Sequence, residues 1–165
     1  MFTDLLRAML LIAAALLGVS GIGKLYAPRG AMGALAAQGL PAGRGVARTI
    51  GLVEVLVGTA AIVTLSPWAV GALALVYAGF AAFVWRAARR GTSCGCLGER
   101  DTTARRGHAL LDLVAAVGAV ILAISEPHPT VDLLGDQPLS GVPFVALIAT
   151  GAVLAHTWLA AEVTS

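Results

Sequence analysis

Charge, aromatic rings and cysteine are all scarce in this chain. Only 12% of its 165 residues are charged and 5% aromatic, against 58% hydrophobic, with a mean hydropathy of +0.88. So few charged side chains cannot coat a soluble core that rich in apolar residues, and a surface facing lipid is the consistent alternative. The formal net charge of +2 is too small, and its basic residues too confined to connections, for nucleic-acid binding to be the main activity. Two cysteines, Cys94 and Cys96, are too few for the disulfide framework of a secreted scaffold. The start of the chain also lacks something. Met1 to Asp4 carries no basic segment of a secretory signal and no small-residue cleavage site follows Leu17, so the first apolar run reads as a retained span.

What is present is a series of long apolar runs. Five stretches approach the roughly 20 residues needed to cross a hydrocarbon core about 30 Å thick. They cover residues 5–25, 46–65, 68–85, 109–125 and 142–161, the third and fourth being short enough to need their flanks. Lipid offers the backbone no partners, and a barrel would need shorter alternating segments, so the spans are helices. The predicted fold class is therefore all-α: one integral membrane bundle, a four-helix core with a fifth C-terminal span. Its abundant glycine and alanine suit helices whose backbones approach closely inside a bilayer, on faces such as Gly51, Val55 and Gly58 or Gly71, Leu75 and Gly79. Pro28, Gly39, Pro41 and Gly43 mark a loop between the first two spans, and Ser66-Pro67 a tight turn before the third.

Basic residues set the expected orientation. All but Arg7 of the 11 Lys and Arg residues fall beside the connection holding Arg29 or in the one holding the cysteines, and alternate crossings put both on one side. The positive-inside bias makes that side the cytoplasm, in a multi-pass protein of the plasma membrane. The connection at 126–140 has three prolines and acids but no Lys or Arg, and belongs opposite.

Reactive side chains cluster once, in Ser93-Cys94-Gly95-Cys96. A disulfide between residues two apart closes a small ring that relies on the freedom of Gly95, and its strain favours a bond that is made and broken. Arg89, Arg90, Arg100, Arg105 and Arg106 surround the pair and favour thiolate over thiol. The plainer alternative is two inert cysteines among arginines that mark topology. A metal reading, with Cys94, Cys96 and His108 as ligands, lacks a fourth donor and is weaker, so no metal site is expected. His108, at the head of the fourth span, is near enough in sequence to Cys96 to act as its base, or is simply an interfacial histidine. Glu54 lies mid-span, where an unpaired carboxylate is expensive, and Lys24 at the end of the first span is its candidate partner. Either that pair holds two helices in register, or Glu54 and Asp112 take up and return the protons of dithiol oxidation. Trp68, Tyr77 and Trp85 read as interfacial anchors and packing residues; His156 reads as a polar contact in the last span.

Residues spread over much of the chain carry a family resemblance. Gly18-Val-Ser-Gly-Ile-Gly-Lys24-Leu25, Pro28-Arg-Gly30, Gly39-Leu-Pro41, Glu54 and Cys94-Gly-Cys-Leu-Gly98 together resemble the MauE proteins, methylamine-utilisation membrane proteins of the DoxX-like group. The resemblance runs from about residue 5 to 125. It departs at Leu97, where a Phe is usual, and at Leu111-Asp112, where the fourth helix often opens with an Arg-Asn pair. It implies thiol–disulfide exchange through Cys94 and Cys96 in the maturation of a client protein, with a thioredoxin-like protein or a membrane quinone as electron partner. A non-enzymatic assembly subunit, or a metal or small-molecule carrier using Glu54, are the competing classes.

Overall fold

The computed structural model describes residues 2–94, 104 and 106–125, which form five helices: α1 (Phe2–Tyr26), α2 (Arg29–Ala37), α3 (Arg44–Thr64), α4 (Pro67–Arg90) and α5 (Arg106–Ile124). No strand occurs among the described residues. α1, α3, α4 and α5 are long and apolar enough to cross a membrane, so the all-α, multi-pass reading and its four-helix core hold. The expected fifth span at 142–161 lies outside the described residues.

Local chemistry sets the boundaries. α3 stops where Leu65 takes a left-handed φ of 43°, because Ser66 precedes a proline and must be extended. Ser66 then caps α4, its Oγ accepting from the Ala69 N–H at 3.3 Å, with Pro67 in the first turn. α4 runs to Arg90, beyond the apolar stretch, since Ala87 and Ala88 continue a helix well and long arginines keep their heads at the surface. It ends at Gly91, φ 65°.

α2 is a departure from the sequence reading, which left that region as a loop. A search for spans passes over nine residues, yet Ala31, Ala34 and Leu35 recur at helical spacing and are buried. Pro28 starts the helix, and Gly39 closes it at φ 73°. There the Gly39 N–H donates to Ala36 and the Leu40 N–H to Leu35, the paired bonds of a Schellman stop. Gln38 fastens α2 to α4: its side-chain amide donates to the Phe83 carbonyl at 3.2 Å, and its backbone carbonyl accepts from Arg86 at 3.1 Å.

The spans associate as two tight pairs, α1 along α3 and α4 along α5, joined where α3 meets α4 and α1 meets α5. Lipid is as apolar as leucine, so this association rests on close packing and polar contacts instead of on hydrophobic exclusion. Glycine makes the first pair possible. A methyl group at Gly21 would stand 2.5 Å from the Gly51 carbonyl, one at Gly51 2.7 Å from the Gly21 carbonyl, and one at Gly58 2.6 Å from the Ala14 carbonyl. Of the two small-residue faces expected from sequence, that of Gly51 and Gly58 is used, whereas Gly71 and Gly79 meet no neighbour among the described residues. Towards the Ser66 turn the interior is filled by Leu10, Leu11, Leu65, Leu73 and Leu122. Lys24, Arg29, Arg44, Arg86, Arg89, Arg90 and Arg106 gather at the opposite, basic end. Gly51→Leu is expected to force α1 from α3 and destabilise the protein by about 1–3 kcal/mol or more, as overpacking does. Gly79→Leu is expected to leave the melting temperature in detergent unchanged, and comparing the two variants by thermal unfolding checks the assignment.

Candidate functional site

The close approach of α1 and α3 brings Lys24 and Glu54 together inside the bundle. Lys24 Nζ donates to Glu54 Oε2 at 2.9 Å and to Ser20 Oγ, one turn back on its own helix, at 2.6 Å. Both charged residues are buried, Glu54 to 1% exposure and Lys24 to 7%. Two charges this far from water persist only when each compensates the other. The pair foreseen from sequence is thus formed, with Lys24 turned inward instead of snorkelling to the surface.

α4 brings aromatic groups to the same level. The Lys24 ammonium lies 5.6 Å from the centroid of the Phe80 ring, a cation–π contact in a dry site. Tyr77 meets Phe80 edge to face at 6.2 Å, and its hydroxyl donates to the Ala13 carbonyl at 2.7 Å, tying α4 to α1. Tyr77 is buried, a packing residue of the interior and not an interfacial anchor. Trp68 is 89% exposed at the start of α4, as an anchor should be. Trp85 carries the Arg106 guanidinium 5.9 Å from its ring centre and links α4 to α5 at the basic end.

Asp112 completes this interior from α5. Leu111 faces outward and Asp112 is half-buried, so the two residues that replace an Arg-Asn pair part company, one toward lipid and one toward the bundle. Asp112 is one turn beyond His108 on the same helix face and lies within electrostatic range of both His108 and Cys94. Tyr77 in turn lies within range of both Asp112 and Glu54. Every spanning helix therefore contributes a polar group to one zone in the basic half of the bundle.

Cys94 stands at the mouth of that zone. It follows the stop of α4 by three residues, is half-buried, and packs with Phe83 and Ala88 against the cluster of Val84, Ala87, Ala104 and Ala109. The Ala104 N–H donates to the Thr92 carbonyl at 3.0 Å, closing the neck of the connection between α4 and α5. Cys96 and His156 lie outside the described residues. Among the described residues, no three His, Cys, Asp or Glu side chains gather as a metal site.

The structure thus unites Lys24 with Glu54, while Cys94, His108 and Asp112 lie at the same basic end within electrostatic range. Sequence reasoning missed Ser20, Phe80 and Gln38, and left Tyr77 undivided between anchor and packing residue. A tyrosine in the middle of a span, in a chain with so few aromatics, was the available signal for the last.

No curated protein and no solved structure matches the chain. The family model for "Methylamine utilisation protein MauE" matches residues 3–125, which include all four spanning helices, both ionic partners of the interior and the two cysteines. The chain belongs to the MauE family.

Proposed function

We propose that the protein is a membrane thiol–disulfide oxidoreductase working through Cys94 and Cys96. The observation that carries this reading is the position of Cys94, held at the closed neck between α4 and α5 beside His108 and Asp112. A half-buried thiol at a basic bundle end is placed for ionisation and attack.

In the proposed cycle one cysteine, as thiolate, attacks a disulfide of a thioredoxin-like partner. A mixed disulfide forms, the partner's own S–S bond breaks, and one partner sulfur leaves as thiolate. The second cysteine attacks the first, closing the Cys94–Cys96 bond and releasing the other partner sulfur. Two electrons pass to the partner, and the two protons lost by Cys94 and Cys96 end on its thiols. A membrane quinone is the alternative acceptor of the same two electrons and two protons, becoming a quinol. The family's name points to a client in amine utilisation, whose thiol pair would attack and reduce the Cys94–Cys96 bond, gaining a disulfide and returning both cysteines to thiols.

A second reading, an assembly subunit, is favoured by the outer face of α4. There, among the described residues, Gly71 and Gly79 meet nothing and Leu75 is 76% exposed, leaving room for another helix. The carrier reading has less support, because the Glu54 carboxylate is engaged by Lys24.

Redox titration of the purified protein with thiol trapping separates the first two readings. A reversible two-electron transition is expected, lost in Cys94→Ser and in Cys96→Ser together with client oxidation; thiols that stay unreactive across all redox buffers leave the assembly reading. Sidedness is a separate matter. The basic end is proposed to face the cytoplasm, so an impermeant maleimide is expected to label Cys94 only after cells are permeabilised, and rapid labelling of intact cells would reverse the orientation.

A further inference from the structure

The outward sides of the spans differ. α5 exposes Leu110, Leu113, Val114, Val117, Val120 and Ile121, and α3 exposes Leu52, Val53, Leu56 and Val63. Lipid tails are as apolar as leucine, so such sides are at home in lipid, whereas close contact between helices calls for small residues. α4 turns a different line outward. Trp68, Gly71, Leu75, Gly79, Ala82 and Arg89 follow one another at helical spacing down one side of it, Gly71 half-buried and the rest exposed. Between the two ends of that line Leu75 is the single large side chain. A methyl group at Gly71 or Gly79 would meet no described residue within 4 Å. Another helix could therefore approach α4 as closely as α1 approaches α3, and the described residues supply none.

Where the chain goes next identifies the occupant. α5 runs back along α4 and ends at the Ser66 end of the bundle, and the sequence continues past Ser125 to residue 165. The connection at 126–141 starts there, so the apolar run at 142–161 enters from the end at which α4 begins. A helix of that length covers roughly 30 Å and crosses the hydrocarbon core once, in the same direction as α4. Its sequence has two unlike sides. At helical spacing Ala146, Ala149, Val153, Thr157 and Ala160 share one side, while Phe144, Leu147, Leu154 and Trp158 share the other, one suited to a helix and one to lipid. Charge agrees with this direction. The run from Val142 to Glu162 is as long as that from Trp68 to Ala88, so Glu162, the first acid after the run, arrives level with the exposed Arg89 and Arg90.

We propose that residues 142–161 of the same chain seat on this side of α4, parallel to it, with Ala149 level with Leu75 and Val153 level with Gly79. Large then meets small at both levels, Leu75 against Ala149 and Val153 over Gly79. The side of α4 that favours an assembly partner is in this arrangement covered by the chain itself. The inference is independent of the thiol-redox reading.

Cysteine crosslinking in the membrane-embedded full chain tests it, with Cys94→Ser and Cys96→Ser removing the native thiols and copper phenanthroline as oxidant. Two pairs are introduced separately, Leu75→Cys with Ala149→Cys and Gly79→Cys with Val153→Cys. The control is Leu56→Cys with Ala149→Cys, because Leu56 lies about as far from the Ser66 turn as Leu75 but on the outer side of α3. Only level neighbours bring their Cβ atoms to disulfide distance, so either test pair is expected to close a bond within one chain about tenfold or more faster than the control. Such a bond is read as thiols lost to maleimide without a dimer band. Adding Gly79→Leu to the first pair is expected to slow it to the control rate while the melting temperature stays unchanged, since the seat lies outside the four-helix core and its release is local. Bonds between copies formed by Leu75→Cys alone would seat a second copy there and overturn the proposal. Closure of both pairs no faster than the control, which leaves this side of α4 to lipid or to another protein, overturns it equally.

Discussion

The salt bridge between Lys24 and Glu54 is the contact on which the rest of the structure depends. It exists only because Gly21 and Gly51 let two helix backbones come closer than any side chain would allow. The two features require each other. Without the glycines the side chains could not meet so far from water, and without the ion pair α3 would carry an isolated charge into the bilayer. In lipid, where apolar side chains gain little by leaving one another or the acyl chains, a fixed polar contact also specifies register. It aligns α1 with α3, and through Phe80 and the Tyr77–Ala13 hydrogen bond it draws α4 onto that pair.

That alignment divides the bundle into two halves. Toward the Ser66 turn, leucines fill the centre. Toward the basic end, Ser20, Lys24, Glu54, Tyr77 and Asp112 share one zone, with His108 and Cys94 at its mouth. The docking of Gln38 on α4, held by Arg86, keeps α2 across that same end. Arginines that sequence alone reads as topology markers thus include at least one with a structural bond.

Much of this was legible in the sequence. Hydropathy alone located the four spans, because lipid imposes a length and an apolar content that few other structures share. The cost of a bare carboxylate in a membrane was enough to pair Glu54 with Lys24 across thirty positions of sequence. What could not be read was direction around a helix. The two glycine faces looked equivalent, and only packing distinguished Gly51 and Gly58 from Gly71 and Gly79. Tyr77 stayed open between anchor and packing residue because an amphipathic ring suits an interface as well as an interior, and its depth decides which. α2 escaped because nine residues with an alanine-rich face fall below the length that marks a span. The place of Leu111-Asp112 was noticed as a departure from the family pattern, but the outward turn of one residue and the inward turn of the other follow from the helix phase of α5.

A double-mutant cycle on the buried pair tests the central claim most directly, with unfolding of the purified protein measured for Lys24→Met, Glu54→Leu and the two combined. Removing one charge strands the other in a low-dielectric interior, so each single variant should lose about 3–5 kcal/mol. The combined variant, which buries two apolar side chains instead, should recover most of that loss. Single substitutions that cost nothing, or losses that simply add, would contradict the claim that this ion pair holds α1 and α3 together.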